Sequence, residues 1–485
     1  MINLKIIYKI LGRLLFAEAV LMTYCLIMAF CYNEDDSLSF LVSVIVTLLA
    51  GFILNIMGRN AENSLSRRDA YLVVSVVWVL FSLFGTIPFL LSGYITNFTD
   101  AFFETMSGFT TTGATIIDDI EALPHGLLFW RSLTQFIGGL GIVFFTIALL
   151  PSLVGGSTKV FAAEATGPIK TKLHPKLSTS AKWIWSIYIV LTLACAISFY
   201  LGGMNLFDAF NYAMSTTATG GFSTHNTSTE FFHSSTLEYI CTVFMFLSGV
   251  NFTLLYGAII KGKIKNLFQN TEFRFYIFLV VSFVIFIIIE LMSRNHYNFE
   301  HAFRCAIFQV VSFSTSTGLF NDDAAVWPHV TWVVLAVLMF FGACSGSTTG
   351  GIKCIRGVMI LRVIRNEFRQ ILHPNAVLPL KINGVNVPNQ KRVTLLAFLA
   401  TYLILCVVIS FSMIAMGVDN TNAITITLSC LGNVGPTLGI EIGPTMSWSG
   451  LSEAAKWMCS AMMLIGRLEI FTVLVVFTPQ FWKEN

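Results

Sequence analysis

The sequence predicts an all-α polytopic membrane protein, built from four similar units of span, short helix, turn and span, with an N-terminal pair of spans outside the repeat. Three observations carry this reading. The composition is too apolar for a soluble domain, basic charge clusters in alternate connections, and one small-residue motif recurs in register.

Of 485 residues, 55% are apolar and 11% charged, where a soluble globular chain carries about 25% charged residues. A bilayer core takes roughly 20 apolar residues per helical span. Candidate spans fall at 10–32, 38–58, 70–95, 125–151, 181–202, 236–260, 274–293, 328–345, 391–417 and 454–478. Shorter apolar stretches lie between several of them and suit re-entrant segments. The apolar run near the N-terminus is too long for a signal peptide and lacks a small-residue cleavage site, so it reads as an uncleaved first span.

Charge gives the orientation. Lys5, Lys9 and Arg13, then Arg59, Arg67 and Arg68, begin a basic series that returns at 159–182, 261–274 and 353–392. The other connections carry Glu34, Asp35 and Asp36, then Asp118, Asp119 and Glu121, then Asp322 and Asp323. By the positive-inside rule both termini and the basic loops are cytoplasmic. The net charge of +3 therefore reflects topology and does not indicate nucleic-acid binding. Ten scattered cysteines without a C-x-x-C pair indicate neither a zinc site nor a disulfide framework. His125, His225, His233, His296, His301 and His329 lie toward the outer face and show no metal-ligand spacing.

The recurring motif is "GFTTTGATII" (108–117), echoed by "STTATGGFST" (215–224), "SFSTSTGLF" (312–320) and "SCLGNVGPTLG" (429–439). The register extends upstream as Ala101/Ser107/Gly113, Ala209/Ser215/Gly221, Ala306/Ser312/Gly318 and Ala423/Ser429/Gly435. Short apolar helices, "DAFFETMSGF", "DAFNYAMSTT", "CAIFQVVSFS" and "NAITITLSCL", precede the turns, which all fall on the outer side. The implied units are an N-terminal pair at 1–66 and repeats at 67–158, 159–267, 268–386 and 387–485.

Non-helical backbone at membrane depth is tolerated only where it is buried in protein or lines a cavity. Four such turns around one axis would present a ring of backbone carbonyls, which replaces a cation's hydration shell. The C-terminal ends of the short helices direct partial negative charge to the same place. Candidate filter residues are Thr111, Thr112 and Gly113; Thr219, Gly220 and Gly221; Ser316, Thr317 and Gly318; and Asn433, Val434 and Gly435. One small-residue stretch alone would suggest close helix packing; four in register on one side favour an ion filter around one pore.

The filter ends "TTGA", "TGGF", "STGL" and "NVGP", the four repeats and the extra N-terminal pair resemble the Trk/Ktr/HKT superfamily of potassium transporters over essentially the whole chain. In that family each repeat closes its filter on a single glycine, and sodium-preferring plant relatives carry Ser where Gly113 stands here. The resemblance thus implies potassium as the transported ion; carbonyl coordination, suited to large, weakly hydrated cations, makes rubidium permeant too, and no covalently bound cofactor is expected. Asn433-Val434 departs most from the pattern. The resemblance further implies a bacterial inner-membrane location, a homodimer with one pore per subunit, and a separate cytosolic nucleotide-binding subunit of the TrkA type. The basic segments 159–182, 261–274 and 353–392 are the surfaces available to dock it.

The last spans of the repeats align as "IGGLGI" (137–142), "LSGVNF" (247–252) and "IGRLEI" (465–470), while the third reads "CSGSTTGGIK" (344–353). Gly346, Ser347, Thr348, Thr349, Gly350 and Gly351 would break a helix, since each glycine costs about 1 kcal/mol there. The break is either a packing kink or, as the resemblance implies, an intramembrane gating loop beneath the filter. Lys353 comes one residue too late for a phosphate-binding loop. Arg467 sits mid-span, where an ionisable group costs at least about 2.5–3.5 kcal/mol unless it faces a polar interior. It is either a cation barrier in the pore or a tie to carbonyls of the neighbouring broken helix. Glu469 lies off the same helical face.

Three functions compete: a gated, channel-like potassium pathway, a proton- or sodium-coupled potassium symporter, and a membrane-embedded transferase. A symporter is expected to carry ionisable residues along its path, and few lie deep in the spans beyond Arg467 and Glu469. No nucleophile with a nearby base and no basic phosphate site supports an enzyme.

Overall fold

The computed structural model of the chain describes residues 2–61, 65–141, 177–439 and 442–483. The end of the expected 125–151 span, the boundary between the first two repeats and Lys159, Lys170, Lys172 and Lys176 lie outside the described residues. Six helices among the described residues are long and apolar enough to cross a bilayer: Leu4–Tyr32, Ser37–Met57, Arg67–Ser92, Thr179–Leu201, Thr271–Arg294 and Asn389–Ala415. The protein is an all-α, multi-pass membrane protein.

The first two spans form a hairpin that crosses at two glycines. A Cβ on Gly12 would lie 2.7 Å from the Gly51 carbonyl oxygen, and one on Gly51 3.0 Å from that of Gly12, the close approach that small residues allow between membrane helices.

The expected short helices are present as Phe98–Phe109, Leu206–Ala218, Phe299–Ser314 and Asn420–Gly432. They start earlier than their apolar cores because each has an Asn or Asp cap. The side chains of Asn97, Asn205, Asn298 and Asp419 each accept a hydrogen bond from a first-turn backbone N–H, satisfying donors that the helix itself leaves open. Ala101, Ala209, Ala306 and Ala423 are all fully buried, which explains the small residue at that place in the register.

Three expected spans are not continuous. The 236–260 segment is Ser235–Ser248 followed by Phe252–Ile259, bent by 104°, and 454–478 is Glu453–Arg467 followed by Phe471–Phe477, bent by 107°. At the first break Asn251 caps the new helix, accepting from Thr253 N at 2.8 Å, and Phe252 N donates to Gly346 O at 3.0 Å. At the second, Glu469 and Ile470 take φ of +54° and +59°. The 328–345 segment is helical only over His329–Phe340. An irregular stretch follows, then the basic helix Cys354–Leu372 and a two-stranded hairpin, Lys381–Ile382 with Val385–Asn386. Its turn residues Asn383 and Gly384 have φ of +48° and +79°, the mirror-image turn that Asn-Gly favours.

Candidate functional site

The four short helices end alike. Thr112 N, Gly220 N, Thr317 N and Val434 N each donate at 2.9 Å to the carbonyl of the register serine, Ser107, Ser215, Ser312 and Ser429. The preceding N–H groups, of Thr111, Thr219, Ser316 and Asn433, donate to Gly108, Thr216, Phe313 and Cys430 at 3.0–3.3 Å. This pair of bonds is the Schellman closure of a helix, which demands a left-handed residue at its centre. Thr111, Thr219, Ser316 and Asn433 supply it with φ of +53°, +56°, +53° and +51°. Threonine is an outlier there, whereas asparagine is at home. The fourth turn, the most divergent in sequence, therefore has the same backbone as the others.

Two residues later each chain turns left-handed again, at Gly113, Gly221, Gly318 and Gly435, with φ of +83°, +87°, +78° and +99°. These glycines interlock. A Cβ on Gly113 would overlap the carbonyl oxygen of Gly220, one on Gly221 that of Thr317, one on Gly318 that of Val434, and one on Gly435 that of Thr112. The sequence of overlaps runs through all four turns and returns to the first, so the strands form a closed ring with a backbone carbonyl at every seam. All four glycines line one cavity of about 90 Å³, together with Asp118, Arg131 and Asn226.

Polar side chains absent from the sequence-derived set hold the ring from behind. Gln135 Nε2 donates to Gly220 O at 2.7 Å and its Oε1 accepts from Phe222 N at 3.1 Å. The buried carboxylate of Glu104 accepts from Ile116 N at 3.0 Å and from Arg131 Nε at 2.8 Å. Arg131 in turn donates to Ser223 O at 3.0 Å and stacks on Phe222 at 4.2 Å. One ion pair thus ties the strands that leave the first and second turns. An isolated charge in an apolar stretch marks a special environment; the rule that singles out Arg467 applies equally to Glu104 and Arg131.

Gly346–Gly351 form an irregular loop packed against these turns. Gly350 N donates to Ser316 Oγ at 2.6 Å, and Thr348 Oγ1 to Thr217 O at 3.1 Å. Glu272 latches both ends of the loop, accepting from Ser345 N at 2.6 Å and Ile355 N at 3.1 Å. The buried Lys353 ammonium lies inside, donating to the carbonyls of Thr349 and, at 3.3 Å, Gly350. A spacing test for phosphate loops passes over this lysine, yet it is a structural cation of the loop.

Arg467 joins loop to helix. It donates to Thr348 O at 2.9 Å, to Gly138 O at 2.5 Å and to Gly139 O at 2.6 Å. Three backbone carbonyls, from the loop and from the helix, thus accept from one guanidinium. Glu469 is paired with Arg356 at 2.5 Å. The histidines show no metal-ligand spacing along the sequence, but in space His301, Cys305 and Asp322 bring one ligand atom each within 4.8 Å of one another. Asp322 is too far along the chain for spacing to reveal it.

Comparison with known proteins supports the overall fold and gives the family. The family described as "TrkH: Cation transport protein" matches residues 37–484. The Trk system potassium uptake protein TrkH of Halomonas elongata is 36% identical, over 99% of this chain and all of its own. Its counterpart in Escherichia coli K12 is 35% identical with the same coverage. The crystal structure of the potassium transporter TrkH from Vibrio parahaemolyticus superposes with a TM-score of 0.89 at 35% identity, covering 99% of both chains. The chain belongs to the TrkH family of cation transport proteins.

Proposed function

We propose that the chain is the potassium-conducting membrane subunit of a bacterial uptake system, working as a gated, channel-like pathway rather than an enzyme. The observation that carries the reading is the closed carbonyl ring, with every glycine's side-chain space taken by the next strand's carbonyl. Carbonyl coordination suits a large, weakly hydrated cation, so potassium and rubidium pass in preference to sodium and lithium. Thr112, Gly220, Thr317 and Val434 offer the ring oxygens, and the glycines leave room for them.

Arg467 and Gly346–Gly351 form the gate in this reading. A unit charge about 8 Å from a permeating cation, at an effective dielectric near 20, raises the ion's energy by roughly 2 kcal/mol, enough to slow passage about 30-fold. Because Arg467 is bonded to Thr348 O, movement of the loop also moves the charge. A cytosolic nucleotide-binding partner of the TrkA type, docked on the basic segments 261–274 and 353–392, would drive that movement. The subunit would sit as a homodimer in the inner membrane, with both termini cytoplasmic by the positive-inside rule. The test is expression in a bacterium stripped of its own potassium uptake. Growth at low potassium and rubidium accumulation support the reading; a correctly inserted protein that restores neither overturns it.

A further inference from the structure

Outside the ring, on the outer side of the third repeat, His301 and Cys305 stand one turn apart on the helix Phe299–Ser314, and Asp322 returns to them from the segment beyond the third turn. We propose that these three side chains form a binding site for one divalent transition-metal ion of the zinc class. Cys305 Sγ lies 3.4 Å from His301 Nδ1. A thiolate at about 2.3 Å and an imidazole nitrogen at about 2.0–2.1 Å from a tetrahedral zinc stand roughly 3.5 Å apart, so these two ligands are already spaced for a shared ion.

The surrounding groups orient the ligands as an outer shell does at metal sites. Asp322 Oδ2 accepts from Trp327 Nε1 at 2.9 Å and from Tyr297 Oη at 3.3 Å. The Tyr297 ring stacks on His301 with centroids 4.5 Å apart, fixing the imidazole plane. Asp and Cys as anions balance the double charge of the ion, while a neutral imidazole adds the third ligand and a fourth position stays open to water. A thiolate ligand selects zinc-like ions over magnesium or calcium, which prefer oxygen. Binding releases the thiol proton to solvent. One cation competes for the space: Arg304 Nη2 is 3.4 Å from His301 Nδ1. Its charge is already matched by Glu238 at 2.5 Å and Glu300 at 3.1 Å, so it can release the imidazole without being stranded. An ion here would join the third short helix to the segment four residues past Gly318, and so connect this site to one quarter of the ring.

The proposal is independent of the ion-transport reading, because its test measures binding. The full-length purified protein, freed of metal, is titrated with zinc by calorimetry and with cobalt(II) by absorption. The expected result is one ion per chain, with a thiolate-to-cobalt band in the near ultraviolet. Cys305→Ser should abolish the band, and His301→Gln, which alters a partly exposed residue, should weaken zinc binding at least about tenfold. Both should leave the elution profile of the protein unchanged, and Cys31→Ser, altering an exposed cysteine elsewhere, should bind as the parent does. Absence of the thiolate band in the parent, or zinc binding unchanged in His301→Gln, overturns the site.

Discussion

Gly113→Ser probes the ring where its geometry is tightest. The parent residue has φ of +83°, a left-handed conformation that adds about 1–2 kcal/mol for an L-residue with a side chain. The new Cβ also overlaps the Gly220 carbonyl oxygen, which cannot withdraw freely because Gln135 Nε2 holds it at 2.7 Å. Breaking that bond forfeits roughly 1 kcal/mol more. The ring must therefore absorb about 2–3 kcal/mol by displacing one of its carbonyl oxygens. Fully expressed as lost discrimination, this corresponds to roughly a 30- to 150-fold fall in potassium over sodium preference. Potassium and sodium flux into liposomes holding the purified variant is the assay, and a fall of at least tenfold is expected. Gly93→Ser is the control, because Gly93 has φ of +78° but open space around its Cβ; it should keep parental selectivity. A folded Gly113→Ser protein with unchanged selectivity would refute the assignment of the ring as filter.

The remaining predictions concern the loop, Arg467 and the outer loops. Arg467→Ala should raise potassium flux and weaken its dependence on the cytosolic partner, while Arg467→Lys, which keeps the charge, stays nearer the parent. If both abolish flux in folded protein, Arg467 holds the structure together and the barrier reading is wrong. Deleting Gly346–Gly351 should increase flux, since the Glu272 bonds to Ser345 and Ile355 outside the deletion can persist; a well-expressed deletion that conducts less makes the loop a permeation or folding element. Burial alone would lower the His225 pKa, but Asp208 at 3.1 Å and Glu121 at 3.3 Å raise it above 6.5 overall. Its ion pairs therefore contribute stability fully present below pH 6.5 and lost as pH rises through the higher folded value. Thermal unfolding of His225→Gln should fall below the parent at pH 6, and the deficit should shrink as pH rises through the raised titration; a deficit that does not change with pH contradicts the linkage.

The turns were legible because their signal is local and repeated. The register serine supplies the carbonyl that closes each helix, and Gly113, Gly221, Gly318 and Gly435 mark the second left-handed position. Even Asn433, which looked anomalous beside Thr111 and Thr219, suits its place by backbone preference. The breaks at Asn251 and at Glu469-Ile470 were not legible from apolar content, which measures depth in the membrane and is blind to continuity. What permits the first break is a bond from Phe252 N to Gly346 O, about a hundred residues away in sequence. Gln135 was invisible for a related reason: a lone amide in an apolar stretch gains meaning only from the Gly220 carbonyl opposite it. Lys353 carries no sequence signal either: its neighbours fail a phosphate-loop pattern, and a buried ammonium among loop carbonyls needs no such pattern.

Potassium selectivity of the ring is tested most directly by the reversal potential of the purified protein in a bilayer with potassium on one side and sodium on the other. A carbonyl ring of this construction predicts a reversal potential displaced strongly toward the potassium equilibrium value, with rubidium able to replace potassium. Reversal near zero with parental protein, or toward sodium, would contradict it.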